Sequence, residues 1–235
     1  MSETPRLNLP LLLPSQAQKH VTVNEALTRL DGLAQLCLVS RSVVTPPDPV
    51  PDGDCYLVPA GATGAWAGQS GSIAIGTNGG WTFVAPGHGW RAFIADEGVP
   101  ATHADGAWKA GALTCSASGA AARLLTVEFE HDLVPGTNTT GQGIPADAMV
   151  FAVSARVTVA ITGSATSWRL GTAGADDRFG AGMGLGQGAY ATGLLSAPVS
   201  YYAATPLVVT PEGGDFAGGR LRLAMHYFAR DLPEV

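Results

Sequence analysis

The periodicity of apolar positions predicts a helix near the start of a chain of 235 residues. Before it, residues 1–20 carry prolines among apolar side chains, which favours an extended strap. From Asn24, the expected N-cap, the period is helical up to Gln35 or Leu36. Residues 1–36 are therefore predicted to be a docking segment, whose helix uses one apolar face: Ala26, Leu27, Leu30, Leu33 and Ala34.

From residue 37 the pattern changes to short apolar runs separated by Gly and Pro, which predicts strands joined by turns. Residues 37–112 include the runs CYLVPAG, SIAIG, WTFVAP and WRAFIADEG, and a hairpin is expected to turn at Asp105-Gly106. They are predicted to form a small Trp/Gly-rich β-module. Residues 113–122 are small and weakly polar, and we expect a linker or a domain seam there.

Residues 123–235 show the clearest strand period. In LLTVEFEHDL, Leu125, Val127 and Phe129 alternate with polar residues, and the closing GRLRLAMHYF alternates in the same way. The glycine-rich stretch 176–193 is expected to be a long loop or a set of tight turns. The fold class predicted for the whole chain is mainly β, with a C-terminal antiparallel jelly-roll-like β-sandwich.

Composition excludes several classes of function. The net charge is −6 and basic residues are not clustered, which argues against nucleic-acid binding. Apolar runs are too short for membrane insertion, and no signal peptide is recognised, so we expect synthesis in the cytoplasm and release by lysis. Cys37, Cys55 and Cys115 lack metal-ligand spacing and are expected to be small core residues.

Four tryptophans lie between Gly64 and Gly111, and two interpretations of them stay open. Their indole rings could stack on sugar rings, or they could form the core of a module that is poor in aliphatic residues. The core interpretation is favoured. The four residues are Trp66, Trp81, Trp90 and Trp108.

The second half contains a candidate carbohydrate-binding site. Carboxylates accept hydrogen bonds from sugar hydroxyls, arginines donate, and aromatic rings offer a flat apolar surface. The alternative is that the charges are ordinary surface groups and the tyrosines fill the sandwich or a subunit interface. The candidate residues are Trp168, Arg169, Asp176, Asp177, Arg178, Tyr190, Tyr201 and Tyr202.

Signs of catalysis are weak, so no catalytic residue, cofactor or metal is predicted. Asp176, Asp177 and Asp215 lack the spacing of a calcium loop. Glu128 and Glu130 point the same way on one strand, which is more typical of solvated carboxylates than of a glycosidase pair. The protein is accordingly expected not to be an enzyme.

Several phrases resemble a family of phage proteins: SQAQKHVTVNEALTRLDGLAQL, DGDCYLVPAGATGAWAG, GGWTFVAPGHGWRAFIADEG and DGAWKAG. In this order they resemble the N-terminal domain of unknown function of tail and spike proteins in alphaproteobacterial prophages. Head-spike proteins of the Rhodobacter-type gene transfer agent contain the same domain. The similarity covers about the first 110 residues. TSWRLG, DDRFGAGMG and GGRLRLAMHYF extend it more loosely into the second half.

The resemblance implies a virion-associated protein of a phage-like particle. Such spikes are associated with host capsular or surface polysaccharide, and other spike or capsid proteins would be partners. Spike proteins are commonly symmetric, so a homo-oligomer is expected, a trimer in preference to a pentamer. The alternatives are a tail-associated polysaccharide-degrading enzyme and a purely structural connector.

Overall fold

A computed structural model of the chain describes residues 3–13 and 19–234, except for the side chain of Lys19. These residues fall into two compact units. The first holds the described residues through Ala121 together with those from Leu232 onward, and the second is Ala122–Asp231. Both units are built mainly from strands, which confirms the predicted fold class. No helix in the described ranges is long and apolar enough to span a bilayer.

The first unit contains a mixed seven-stranded sheet. Its order is β4-β3-β2-β1-β5-β6-β7; β1 pairs in parallel with β2 and β5, and the other neighbours are antiparallel. The strands of this unit are β1 Cys37–Leu38, β2 Cys55–Leu57, β3 Ile73–Thr77, β4 Gly80–Val84, β5 Arg91–Ile94, β6 Val99–Ala104, β7 Ala107–Ala110 and β8 Ala112–Cys115.

Helix α1 spans Lys19–Leu33 and corrects two expectations. It begins before Asn24, which is therefore no N-cap: its side-chain amide exchanges two hydrogen bonds with the backbone of Leu12. The buried side of the helix carries Asp31 and Gly32, whereas Leu30 is 54% exposed. The prediction of the apolar face is therefore wrong. The helix packs against β3 through Gly32, where the backbone comes so close that an added Cβ would lie 2.8 Å from Ile75 Cδ1.

A buried carboxylate on this helix is one of the groups that attach the N-terminal segment, together with the Arg6 guanidinium, which donates to the Gly32 carbonyl at 2.8 Å. Asp31 accepts hydrogen bonds from Thr4 Oγ1 at 2.7 Å, Leu7 N at 2.6 Å and Arg6 N at 3.1 Å. Residues 3–10 form a turn closed by a bridge between Glu3 and Pro10, and not a fully extended strap. The remaining strap residues, 1–2 and 14–18, lie outside the described residues.

The tryptophans of the first unit mainly fill its interior. Trp66 is fully buried and Trp108 is 6% exposed, as the core interpretation predicted. Trp81 and Trp90 are half-buried and pack against the two core clusters. Trp66 and Trp81 meet edge to face with ring centroids 5.0 Å apart, an arrangement that aromatic pairs favour.

The second unit is a sandwich of antiparallel sheets around a single core cluster. One sheet has the order β10-β16-β12-β13; in the other β14, β11, β17 and β9 lie side by side, and β15 also pairs with β11. The strands are β9 Ala121–Asp132, β10 Asn138–Ile144, β11 Ala148–Gly163, β12 Ser167–Thr172, β13 Ala175–Met183, β14 Tyr190–Ala191, β15 Leu194–Tyr201, β16 Thr205–Glu212 and β17 Phe216–Asp231.

Part of the glycine-rich stretch predicted to be a loop is strand β13. Its pairing with β12 is interrupted by two register shifts, and Gly180 has a φ of +140°. Gly171 lies so close to the opposite strand that a Cβ would meet the Ala175 carbonyl. The glycines therefore belong to a bulged strand pair, because glycine adopts backbone dihedral angles and close backbone contacts that other residues cannot.

Two further expectations need correction. The segment predicted as a linker or a domain seam, residues 113–122, contains most of β8 and the start of β9, so it is not an irregular linker, although the boundary between the two units does fall within it, after Ala121. Of the three cysteines, Cys55 is buried, and burial raises its pKa to about 11. Cys37 and Cys115 are only half-buried, so they are not the core residues that were expected.

Candidate functional site

The eight residues of the predicted carbohydrate site lie on two different sheets. Trp168 on β12 is fully buried, and its Nε1 donates to the Gly184 carbonyl at 2.9 Å. Its ring is therefore part of the core and offers no surface for a sugar, contrary to the prediction. Beside it, Arg169 forms an ion pair with Asp176 at 2.9 Å, while Asp177 and Arg178 are exposed on β13.

The three tyrosines of the set belong to or follow the strands that pair with β11. Tyr201 is half-buried against the core, and its hydroxyl is enclosed without a hydrogen-bond partner among the described residues. Tyr202 is 81% exposed just after β15. Tyr190 on β14 is 60% exposed and borders a groove, so it is the tyrosine best placed to contact a ligand.

The groove lies on the outer face of the β14-β11-β17-β9 sheet, and the strand period explains which residues face it. On β11, Val153, Ala155 and Val157 are buried, so the residues between them point outward. From Leu221 onward the buried positions on β17 are Leu221, Leu223, Met225 and Tyr227, as the alternation predicted. Polar side chains from strands that are distant in the sequence are thereby placed on one surface.

Four side chains form a row across this surface, one from each strand: Tyr190, Arg156, Arg222 and Glu128. Tyr190 pairs in register with Arg156, and Arg156 pairs with Arg222. The Arg156 guanidinium carbon lies 5.5 Å from the centroid of the Tyr190 ring, within the range of a cation–π contact. At the far end, Arg222 Nε is 3.7 Å from Glu128 Oε1.

Acidic residues of β9 pair with the arginines of β17. Glu130 contacts Arg222 at 2.8 Å and Arg220 at 3.5 Å, and Asp132 contacts Arg220 at 2.6 Å. The hydrogen bond from Arg220 holds the pKa of Asp132 below its usual range, and the bond to Glu130 raises the pKa of Arg222. Glu128 and Glu130 therefore both contact Arg222 instead of forming an isolated carboxylate pair.

Beside the row, His226 bridges two hydroxyl groups. Its Nε2 lies 3.0 Å from Ser154 Oγ, and its Nδ1 lies 3.1 Å from Thr126 Oγ1. In a neutral imidazole one of these nitrogens donates and the other accepts. Burial against neighbours such as Phe151, whose ring centroid is 6.0 Å away, lowers the pKa of His226.

The groove has a volume of about 530 Å³, which suits a small ligand or one or two sugar rings. It offers an aromatic ring, two guanidinium groups, a carboxylate and hydroxyls. Sequence reasoning found Tyr190, but treated Glu128 only as a weak catalytic candidate and did not select the others. The lining residues are Glu128, Ser154, Ala155, Arg156, Tyr190, Ala191, Thr192, Arg222 and Ala224.

The first unit has cavities of its own. One of about 550 Å³ lies between α1 and β3–β4 and includes His20, Asn24 and Thr77. Another of about 410 Å³ is bordered by Trp81 and the prolines of residues 46–47. Neither cavity has the arrangement found in the groove of the second unit, where a guanidinium lies over an exposed aromatic ring. Among the residues described, no cluster of His, Cys, Asp and Glu is arranged to hold a metal ion.

Comparison with known proteins places a family match on the first unit alone. Residues 23–109 match the model of the family described as "Protein of unknown function (DUF2793)". No curated protein matches the chain. Among solved structures, a chain of the cyanophage Pam1 capsid asymmetric unit is similar at 21% identity with a TM-score of 0.33; the match covers 46% of this chain and 86% of that one.

Proposed function

We propose that the chain is a structural component of a phage-like particle, such as a gene transfer agent, and that it binds polysaccharide on the surface of a host cell. The particle assignment is supported by the ordered phrases of the first half, which resemble prophage tail and spike proteins. The family match at residues 23–109 falls on the same segment. That family has no assigned function, so the binding role is argued from the second unit.

One observation carries the binding role: the groove at Tyr190. The ring is exposed at the surface, held by Arg156 and surrounded by hydroxyl and charged groups. Sugars are bound by this combination, because a pyranose has an apolar face for the ring and hydroxyls for the polar groups. The strands that carry these groups are fixed in register, so the surface is formed before a ligand arrives.

Replacing Tyr190 with alanine tests this site. Loss of the ring removes both the stacking surface and the support under Arg156, so affinity should fall by about tenfold or more. Tyr190→Phe keeps the ring and should bind nearly as well as the wild type. Binding of the full chain to capsular polysaccharide purified from a candidate host provides the measurement, with the length of the polymer followed in parallel.

Tyr202→Ala is the matched control, because Tyr202 is even more exposed but does not border the groove. It should leave the affinity unchanged. Equal losses in the Tyr190→Ala and Tyr202→Ala variants would contradict the assignment of the site. Shortening of the polymer would show that the protein is a polysaccharide-degrading enzyme.

Ester hydrolysis is a second candidate function, favoured by the 3.0 Å contact between Ser154 Oγ and His226 Nε2. Such a contact can activate a serine as nucleophile. The other nitrogen of His226 meets the Thr126 hydroxyl, which stabilises a charged imidazolium less than a carboxylate would. Release of acetate from an acetylated polysaccharide by the wild type, abolished in Ser154→Ala, would establish hydrolysis.

A homo-oligomer fits the proposed role, and a trimer is favoured over a pentamer. Closed symmetry repeats the groove on each subunit, and several weak sugar contacts then add up to strong attachment. Contacts with other spike or capsid proteins would hold the chain on the particle. The mass of the purified protein in solution tests the oligomeric state.

A further inference from the structure

We propose that the groove at Tyr190 binds an acidic saccharide unit, and that Arg156 pairs with its carboxylate. The inference rests on the proposed function and specifies the class of sugar. It starts from the charge balance along the row of side chains. Glu128 and Glu130 both contact Arg222, so the charge of Arg222 is already compensated.

Arg156 is arranged differently. Within the described ranges, no carboxylate oxygen lies within 4.0 Å of its guanidinium. Its contacts are the Tyr190 ring and a long hydrogen bond, 3.5 Å, to the Gly188 carbonyl. A guanidinium has five donors, so most of those on Arg156 are available to a ligand.

The pairing of the strands strengthens this argument. Arg156 lies directly opposite Arg222 on the neighbouring strand, and like charges in such pairs are destabilising. Glu128 and Glu130 relieve this repulsion from the β9 side only. An anion bound next to Arg156 would relieve it from the β14 side.

The neighbours of Arg156 favour a sugar over a bare anion. Tyr190 offers a ring for the apolar face of a pyranose, and Ser154 and Thr192 offer hydroxyls for its substituents. A uronic acid carries a carboxylate on such a ring, and the planar fork of arginine matches a carboxylate through two parallel hydrogen bonds.

General attraction of the protein to polyanions does not account for such binding. The second unit has seven arginines and nine acidic residues, so its overall charge repels an acidic polymer. Affinity for a uronic-acid polymer must therefore come from a local site. Arg156 is the group placed to provide it.

The test uses the full chain and three immobilised polymers, polygalacturonate, alginate and hyaluronan, each before and after chemical reduction of its carboxylates to neutral alcohols. At about physiological ionic strength, the wild type should bind the native form of at least one polymer. Reduction of that polymer should weaken binding by about ten- to a hundredfold, the range expected for a charge-assisted hydrogen-bonded pair.

Arg156→Gln should lose affinity for the native polymer to the same extent and bind the reduced form as the wild type does. Arg156→Lys should restore only part of the loss, because an ammonium lacks the planar fork. Arg230→Gln is the matched control: it removes the same charge from an exposed position further along β17, away from the groove. Its affinity should be that of the wild type.

The other possible outcomes would contradict the proposal, and each shows which part of it is wrong. Equal binding of native and reduced polymers would overturn the acidic-sugar assignment but retain carbohydrate binding. Unchanged affinity of Arg156→Gln for the native polymer would also overturn that assignment. Binding to dextran sulfate as tight as to the native polymer would overturn it as well, because it would indicate unspecific attraction to polyanions. Binding to neither form of any polymer would also overturn the acidic-sugar assignment, whereas the proposed function fails only if the wild type does not bind capsular polysaccharide from the host.

Discussion

At the scale of single residues, His226 makes the stability of the protein depend on pH. It lies on the outer face of the sheet yet is partly enclosed, and both of its ring nitrogens meet hydroxyl groups. Burial holds its pKa below the ordinary value of 6.5. The ring therefore stays neutral in the folded protein at a pH at which the unfolded chain already takes up a proton.

This difference gives a prediction for stability. As the pH falls below about 6.5, the unfolded state binds a proton at this position and the folded state does not, so the free energy of unfolding decreases. The decrease continues until the pH passes below the folded-state pKa. Denaturation curves between about pH 7.5 and pH 5 should show a larger loss for the wild type than for His226→Gln. Parallel pH profiles for the two proteins would contradict this account.

The residues of the site differ in how far the sequence reveals them. Tyr190 was selected because an aromatic ring near Asp and Arg residues offers a flat apolar surface to a sugar. Arg156 was missed because its neighbours come from other strands. Strand pairing places it opposite Arg222, 66 positions later in the sequence, and opposite Tyr190 on β14. Trp168 was assigned to the ligand surface although it is buried, because an aromatic residue in a strand suits either place.

At the scale of elements, period-two alternation was the most reliable indicator. It correctly placed the inner faces of β9 and β17, where each apolar side chain packs into the core of the second unit. Glycine content was misleading for β13, because bulged strands use glycine as turns do. The buried side of α1 was missed because a carboxylate and a glycine occupy it in place of leucines.

That carboxylate, Asp31, leads to a prediction about the N-terminal segment. Asp31→Ala removes the acceptor of three hydrogen bonds and leaves the buried Thr4 hydroxyl, which still accepts from Leu9 N, without an acceptor for its own proton. The loss should lower the free energy of unfolding by about 2–3 kcal/mol. Chemical denaturation followed by tryptophan fluorescence measures it, and proteolysis within residues 3–13 should become faster.

Asp96→Ala serves as the control for this experiment. Asp96 is exposed at the end of β5 in the same unit, so its removal should change the free energy of unfolding by less than about 0.5 kcal/mol. Similar stability of the Asp31→Ala and Asp96→Ala variants would show that the buried carboxylate does not hold the segment.

At the scale of the whole molecule, the two units carry different parts of the account. The family match and the ordered phage-like phrases fall on the first unit, whereas the groove lies entirely in the second. The sequence resemblance of the first unit therefore supports the proposed place on a phage-like particle, and the geometry of the groove in the second unit supports the proposed binding of a saccharide.

The central claim, attachment through the groove at Tyr190, is tested most directly on cells. Fluorescently labelled full-length protein is added to an encapsulated host strain and to an isogenic strain without capsule, and the bound fluorescence is measured. The account predicts that the wild type stains only the encapsulated cells and that Tyr190→Ala needs about tenfold or more protein to stain them equally. Equal staining of both strains by the wild type, or full staining of encapsulated cells by Tyr190→Ala at the same protein concentration, would contradict it.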